Sequence, residues 1–235
     1  MEKMENRVAD NRRVRVDFDE YADRYEALLE EQLAFFSGDR GYFSEYKVAL
    51  TARYCRRPPA RILDFGCGIG LSLPFLKRYF PAARLFATDL SQKSLSHVRE
   101  RFPDVSVLSD GEIDGHRFDM IFVAGVFHHV PVDKRAHVAG RVARLLSRDG
   151  QLFVFEHNPF NPVTRRMVST CPFDADAVLL TLGDTKHLVG SVAGLWLVES
   201  GYCLFFPQVL RGLRPLEKVL RRIPLGGQYF VVGRK

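Results

Sequence analysis

The sequence predicts an α/β fold in which a mostly parallel sheet carries helices on both faces. Short apolar runs alternate with amphipathic segments from about residue 61 to residue 158, which is the pattern of repeated β-α units. The first of these runs, residues 62–65, leads into three glycines spaced two apart, as expected where a buried strand turns sharply towards a ligand. With 235 residues and 46% hydrophobic content, the chain suits one structural domain.

The N-terminal part is predicted to be helical and to cover the sheet. From Phe18 apolar residues recur at intervals of three and four, and a second helical stretch runs over residues 42–54. The Pro58-Pro59 pair then marks the entry to the core. We therefore divide the chain into an N-terminal helical arm and lid, residues 1–57, and a core, residues 58–235, within a single structural domain.

Five strands and three helices are predicted in the first part of the core. In an open parallel sheet, ligands bind outside the carboxyl ends of the strands, where the strand order reverses. The loops after the first, fourth and fifth strands should therefore border one crevice. The predicted strands are 62–65, 85–88, 105–108, a run from Met120 and 150–158, and the predicted helices are 71–79, 92–102 and 133–146.

The last third of the chain has a different pattern. We predict a helix over residues 185–199, a strand over 202–208, a short helix over 215–222 and a final strand over 228–232. These two strands bring the predicted total to seven.

The glycine loop after the first strand has the form of a nucleotide site. Gly66 and Gly68 match the first two positions of the dinucleotide fingerprint, but Leu71 occupies the sixth position, where that fingerprint requires a small residue. Gly70 comes one residue too early. The match to a pyrophosphate-binding loop is therefore poor.

The stretch Asp64–Gly70 instead resembles motif I of the class I S-adenosylmethionine-dependent methyltransferases, which reads acid, any residue, Gly, any, Gly, any, Gly. The resemblance continues in order from Arg61 through Asn158. It implies a doubly wound, Rossmann-like sheet of seven strands, mostly parallel with an antiparallel last strand. It also implies S-adenosyl-L-methionine as the cofactor and an antiparallel pair of strands at one sheet edge.

Spacing and resemblance together identify candidate cofactor-binding residues. Asp89 lies at the end of the second strand, 23 residues beyond Gly66, where an acid accepts hydrogen bonds from ribose hydroxyls. The resemblance places Asp110 at the adenine amino group. The candidate cofactor-binding residues are Asp64, Gly66, Cys67, Gly68, Asp89, Leu90, Asp110, Gly111 and Tyr21, with Ile113 as a second apolar neighbour of the adenine.

Several of these residues also have structural interpretations. Asp64 could brace the glycine turn, and Asp89 could cap the helix that starts near Ser91. Asp110 before a glycine is a favourable turn residue. Tyr21, like Tyr25, could simply pack an amphipathic helix.

Candidate catalytic residues follow the fourth and fifth strands. His128 and His129 lie just past the fourth strand, and histidine titrates near neutrality as a general base should. The resemblance implies a histidine on the acceptor side, for which we favour His128. Glu156 could orient a histidine or receive a proton, or it could pair with Arg165 or Arg166. His128, His129, Glu156 and His157 are suitable metal donors, but their spacing does not require a metal and we predict none.

Charge and composition narrow the choice of partner and location. The net charge of +6 is matched by residues 208–235 alone, which carry seven basic residues against one acidic residue. Such a patch attracts phosphate, acidic substrates or lipid, or is simply a solvated helix face. No apolar run reaches the length of a membrane span and the charged start does not resemble a secretory signal, so we predict a cytoplasmic protein. The cysteines, Cys55, Cys67, Cys171 and Cys203, show neither zinc-site nor disulfide spacing.

The predicted function is methyl transfer to an oxygen or nitrogen of a small molecule, such as a glycan, a lipid-linked compound or a specialised metabolite. RNA or other nucleic-acid methylation competes with it, because Asn158-Pro159-Phe160 partly matches the Asn-Pro-Pro-Tyr or -Phe signature of adenine-amino methyltransferases. We do not expect a nucleic-acid partner, since the second proline is missing. The sequence also allows a non-catalytic adenosyl-nucleotide-binding protein or a nicotinamide-dependent oxidoreductase. The oligomeric state stays open, with a homodimer as one option.

Overall fold

The computed structural model describes residues 16–21 and 41–235. Within them, seven strands form one sheet in the order β3-β2-β1-β4-β5-β7-β6. Strand β7 runs antiparallel to both of its neighbours, β5 and β6, and the pairs among β1 to β5 are parallel. The strands are β1 (Arg61–Phe65), β2 (Arg84–Thr88), β3 (Ser106–Val107), β4 (Phe118–Ala124), β5 (Leu146–His157), β6 (Trp196–Cys203) and β7 (Gln228–Arg234).

Helices cover both faces of this sheet, because its central strands are apolar on both sides. Ile62 and Phe153 belong to one buried cluster, whereas their neighbours Leu63 and Val154 belong to the other. This period-two alternation is that of a pleated strand buried on both faces. The helices are α1 (Phe18–Tyr21), α2 (Tyr42–Tyr54), α3 (Leu73–Tyr79), α4 (Gln92–Arg101), α5 (Arg135–Leu145), α6 (Pro162–Thr170), α7 (Leu182–His187) and α8 (Glu217–Leu220).

The strand order confirms the predicted fold and locates the crevice. The chain leaves β1 towards β2 and β3 on one side, and then returns to β4 and β5 on the other side of β1. The carboxyl ends of β1 and β4, which are neighbours, therefore flank the point at which the strand order reverses. The loops that carry the glycines and the paired histidines meet there.

Two predictions in the last third were wrong. The predicted helix 185–199 ends early, since α7 continues only through a π-turn over Leu188–Val192. The strand predicted over 202–208 runs instead over Trp196–Cys203. Gly194, with φ of +69°, breaks the helix, and the residues after it bond along β7. Pairing with a distant strand overrides the local helical periodicity here.

The described N-terminal residues reach across the crevice. The Asp19 carboxylate accepts hydrogen bonds from the Ser91 hydroxyl at 2.5 Å and from the Lys93 amide at 3.1 Å, at the start of α4. On the other side, the Val16 amide donates to Asp176 Oδ2 at 3.0 Å. Tyr25 and the rest of the predicted first helix lie outside the described residues, and the lid and the boundary at residue 57 stay predictions. In the described part of the chain, every helix is too short or too polar to cross a membrane.

Candidate active site

The glycine loop is held tightly at its start and is open at its centre. Gly66 and Gly68 have φ of +74° and +51°, in the left-handed region that favours glycine. A Cβ on Gly66 would lie 2.4 Å from a methyl group of Val126, in the loop after β4, whereas a Cβ on Gly68 would have no atom within 4 Å. The loop therefore packs against its neighbour at Gly66 and faces open space at Gly68.

Asp89 fixes this loop from the end of β2. Its Oδ2 accepts a hydrogen bond from the Gly68 amide at 2.8 Å, and its Oδ1 accepts one from the Ser91 amide at 2.9 Å. Burial raises the pKa of Asp89, against these backbone hydrogen bonds. The helix-cap interpretation of Asp89 was wrong, because the cap of α4 is Ser91, whose hydroxyl accepts from the Ser94 amide. A carboxylate has about four acceptor positions, so the Asp89 carboxylate keeps capacity for a ligand hydroxyl.

Beneath the loop, Asp64 is a buried acid with an unsatisfied oxygen. Its residue exposure is 3%, and its Oδ2 has no hydrogen-bond partner among the described residues. Burial, together with the charge of Asp89, raises the pKa of Asp64 to about 7. Cys67 in the loop is also buried, and burial raises the pKa of its thiol well above the usual value. A cationic ligand group near Asp64 Oδ2 would satisfy that oxygen and stabilise its charge.

Sequence reasoning missed Lys47, which projects from α2 towards the same region. Burial lowers the pKa of its ammonium group, while the charges of Cys203, Asp64 and Glu156 oppose that effect. In the described part of the chain Lys47 donates no hydrogen bond to another residue. A cation enclosed in this way is costly without an anion, so it could receive an anionic ligand group. Its place within a predicted helix gave no signal of this role.

Most of the residues proposed to hold the adenine are exposed. Leu90 is 66% exposed, while Ile113 is fully buried in the core. The Asp110 carboxylate accepts a hydrogen bond at 2.6 Å from Arg141, which also pairs with Asp114. Gly111 is exposed, and the side chain of Tyr21 is outside the described part of the structure. The roles of Leu90, Asp110, Gly111 and Tyr21 stay predictions.

On the other side of the crevice, His128 and Glu156 form a buried pair. His128 Nδ1 lies 2.5 Å from Glu156 Oε2, and both side chains are at most 2% exposed. Glu156 Oε1 also accepts hydrogen bonds from the amides of Val126 and Phe127, at 3.1 and 2.7 Å. Burial raises the pKa of Glu156, but the His128 cation and these hydrogen bonds outweigh that effect and lower it. Glu156 therefore pairs with His128, and neither Arg165 nor Arg166 is its partner.

A further acid, Asp174, faces both histidines and was missed by sequence reasoning. Its Oδ1 lies 3.5 Å from His128 Nε2 and 3.3 Å from His129 Nε2. Burial alone lowers the pKa of His128, but the charges of Glu156 and Asp174 raise it to about 9. Burial and the His128 cation lower the pKa of His129 to about 4. At pH 7 His128 is therefore protonated, which conflicts with a simple general-base role, and His129 is neutral.

Asn158 and its neighbours serve a structural purpose. The Asn158 side-chain amide donates to the carbonyls of Pro224 and Gly226, at 3.1 and 2.7 Å, and its oxygen accepts from the Phe160 amide. All polar positions of this side chain are directed into the protein, and its residue exposure is 0%. Asn158 therefore lacks the free amide that binding a flipped base requires.

A groove of about 500 Å³ opens beside Asp174. It lies between α6 and the segment that follows it, and Arg165 and Arg166 contribute to its lining. The described structure shows no side-chain hydrogen bond or ion pair for either guanidinium group. The groove has the size of a small-molecule site and presents two cations.

Comparisons with known proteins find a methyltransferase domain and the same fold. A family model described as "Methyltransferase domain" matches residues 63–152. The chain is 29% identical to trans-aconitate 2-methyltransferase of Methylobacterium nodulans over 163 residues, which is 65% of this chain and 61% of that protein. A methyltransferase structure from Archaeoglobus fulgidus superposes with a TM-score of 0.65 at 14% identity, over 90% of this chain and all of that one. The plantazolicin methyltransferase BpumL, solved in complex with SAH, gives a TM-score of 0.61 at 16% identity, over 93% and 99% of the two chains.

The fold and the glycine loop define a nucleotide-binding α/β protein, and the family model narrows the class. Residues 63–152 match a methyltransferase domain, and the chain shares its fold with S-adenosylmethionine-dependent methyltransferases, a match that supports S-adenosyl-L-methionine as the cofactor. The chain spans 61% of the length of the Methylobacterium relative.

Proposed function

We propose that this protein transfers the methyl group of S-adenosylmethionine to an oxygen or nitrogen atom of an acidic small molecule. The observation that carries the proposal is that two sites lie side by side where the strand order of the sheet reverses. An adenosyl-type loop, Gly66 to Gly70 with Asp89, lies at the ends of β1 and β2, and a buried charged cluster lies at the ends of β4 and β5. Methyl transfer requires cofactor and acceptor in line, which adjacent strand ends provide.

On the cofactor side, three charged groups match the polar groups of S-adenosylmethionine. Asp89 would accept hydrogen bonds from the ribose hydroxyls. The unsatisfied Oδ2 of Asp64 suits the cofactor's ammonium group, and Lys47, which donates no hydrogen bond in the described structure, suits its carboxylate. The backbone of the loop, at Gly66, Cys67 and Gly68, would lie along the cofactor.

On the acceptor side, the cationic groups favour an anion. Arg165 and Arg166 line the groove, and protonated His128 lies behind Asp174, which also lines it. A carboxylate oxygen is already an unprotonated nucleophile, so an acidic acceptor avoids the need for a base that His128 does not supply at pH 7. The relative from Methylobacterium nodulans, named trans-aconitate 2-methyltransferase, supports this acceptor class.

In the proposed reaction the acceptor oxygen forms a bond to the methyl carbon as the carbon–sulfur bond breaks. The bonding pair moves to sulfur, which loses its positive charge, and S-adenosylhomocysteine leaves. Arg165 and Arg166 would hold the acceptor anion, and His128 would act from behind Asp174. Glu156 would hold His128 in place through Nδ1, and neutral His129 would pack beside it.

The test combines cofactor calorimetry with transfer of labelled methyl groups to a panel of small carboxylic acids, trans-aconitate included. Asp89→Ala should weaken S-adenosylhomocysteine binding by about 1–3 kcal/mol, since the ribose loses a charged acceptor. His128→Gln should leave that affinity unchanged and lower kcat. Replacing both Arg165 and Arg166 by Gln should raise the acceptor KM at unchanged cofactor affinity.

Two outcomes would contradict the proposal. One is wild-type S-adenosylhomocysteine affinity in the Asp89→Ala variant, which would remove the cofactor assignment. The other is methyl transfer to neutral alcohols that the arginine variants do not alter, which would remove the acidic acceptor.

A further inference from the structure

The two adjacent histidines and Asp174 converge on one point. His128 Nε2 and His129 Nε2 lie 3.5 and 3.3 Å from the same oxygen of Asp174. Both distances exceed the 2.7–3.2 Å typical of a hydrogen bond to oxygen. One donor atom from each of the three residues lies within 4.8 Å of the others.

These separations fit the spacing between neighbouring ligands of a metal ion. For a tetrahedral zinc ion with bonds of about 2.0–2.1 Å, neighbouring ligand atoms lie about 3.3–3.4 Å apart. The two nitrogen–oxygen distances of 3.3 and 3.5 Å are close to that spacing. Two imidazoles and one carboxylate form a common protein ligand set for a first-row divalent ion.

The opposite nitrogen of each histidine faces a carboxylate. His128 Nδ1 lies 2.5 Å from Glu156 Oε2, and His129 Nδ1 lies 3.7 Å from Asp176 Oδ1. In the described part of the chain, His129 Nδ1 and Asp176 Oδ1 are both buried without a hydrogen-bond partner. Metal-bound histidines almost always present their second nitrogen to a carboxylate, a carbonyl or water, which fixes the ring and raises its basicity. The cluster shows this arrangement at His128, and at His129 the Asp176 carboxylate lies close to Nδ1 without a hydrogen bond.

The cluster is enclosed on one side and borders the groove on the other. The side chains of His128, His129 and Asp174 are 2%, 15% and 7% exposed. Phe18 covers His129 edge-on, with ring centroids 5.0 Å apart, and Asp174 also lines the groove with Arg165 and Arg166. Three protein ligands leave a coordination position open, as in catalytic zinc sites.

We propose that His128 Nε2, His129 Nε2 and Asp174 bind a divalent transition-metal ion, zinc by preference, with Glu156 and Asp176 orienting the two imidazoles. This revises the prediction of a site without metal. Binding displaces the proton that His128 otherwise directs at Asp174. The role of the ion rests on the proposed function: it would hold an oxygen of the acidic acceptor and offset the negative charge of Asp174 at the groove.

The experiment titrates zinc into the metal-stripped full-length protein by calorimetry, and cobalt(II) by visible absorption. We expect one ion per chain and the intense absorption bands of a low-coordinate cobalt site. His129→Gln and Asp174→Asn should weaken zinc binding by at least roughly 100-fold, and Glu156→Gln by about 10–100-fold, since it removes only the carboxylate behind His128. His137→Ala, on the exposed face of α5, is the matched control and should bind like the wild type.

Binding of S-adenosylhomocysteine, measured on the same samples, separates the two proposals. A variant that keeps this affinity is folded, so its zinc affinity can be interpreted. If the wild type binds S-adenosylhomocysteine but takes up no zinc, or if Asp174→Asn and His137→Ala bind zinc equally well, the metal site is wrong and the proposed function stands. If zinc binds at the predicted residues but S-adenosylhomocysteine does not bind, the proposed function fails and the metal site stands.

Discussion

The cofactor side and the acceptor side of the crevice are built in different ways. At the ends of β1 and β2, backbone geometry dominates: glycines with positive φ form the loop, and Asp89 holds it through the Gly68 amide. At the ends of β4 and β5, side chains dominate, and a buried pair, His128 and Glu156, is completed by Asp174. A cofactor common to a family can be recognised by a shared backbone shape, whereas an acceptor requires side chains specific to each protein.

Gly66→Ala offers the largest expected effect and tests whether the cofactor side depends on backbone shape. The new Cβ would lie 2.4 Å from Val126, at a φ of +74° that costs a non-glycine residue about 1–2 kcal/mol. We expect loss of measurable S-adenosylhomocysteine binding by calorimetry. Gly68→Ala introduces only the backbone strain of a positive φ, because no atom lies within 4 Å of its Cβ. This variant should still bind S-adenosylhomocysteine, but more weakly.

A second substitution keeps this test informative if the Gly66 variant is unstable. Adding Val126→Ala removes the methyl group that the new Cβ would strike, and should restore part of the binding and of the melting temperature. Equal losses in the Gly66 and Gly68 variants would indicate that close packing on the β4 loop is unimportant.

An intermediate effect is expected from Asp64, whose ionisation makes the stability of the protein depend on pH. Burial raises its pKa to about 7 in the folded protein, above the ordinary value of 3.8, so the folded state favours the protonated form. The stability that this group contributes is present at low pH and is lost as the pH rises towards 7. Between pH 5 and pH 8, the free energy of unfolding of the Asp64→Asn variant should rise by on the order of 2–3 kcal/mol relative to that of the wild type.

Urea unfolding of the ligand-free protein at the two pH values measures this difference. An unchanged gap between variant and wild type would mean that Asp64 is already ionised at pH 5, and that Lys47 or a neighbouring group compensates its charge. That result would make the cofactor side a charge-paired site like the acceptor side.

The smallest effect is expected for Asp110→Ala, which tests how far the cofactor side extends. The Asp110 carboxylate is 56% exposed and pairs with Arg141, and exposed ion pairs contribute little. A hydrogen bond to the adenine amino group would add about 1 kcal/mol or less at such a site. We expect a loss of S-adenosylhomocysteine affinity of at most about fivefold by calorimetry. A much larger loss would show that Asp110 leaves Arg141 and becomes a main adenine contact.

Local sequence determined the cofactor side and most of the sheet. The glycine spacing and the apolar runs of the first five strands act within a few residues of chain, so their patterns can be read directly. The acid at position 89 was placed by its distance along the chain from the glycines. The family resemblance added the cofactor and the antiparallel pair of strands at one sheet edge. Both additions are confirmed by the strand order and the comparisons.

Only the tertiary structure decided the composition of the acceptor side. Asp174 reaches His128 across 46 residues of chain. On the cofactor side, Lys47 likewise comes from a distant segment, a helix that precedes the sheet. The sequence from 185 to 203 showed helical periodicity, but pairing with β7 made its second half a strand. These features depend on contacts between distant segments, which no local pattern encodes. The sequence by itself therefore determined the fold class and the cofactor, whereas packing decided which charged groups surround the acceptor.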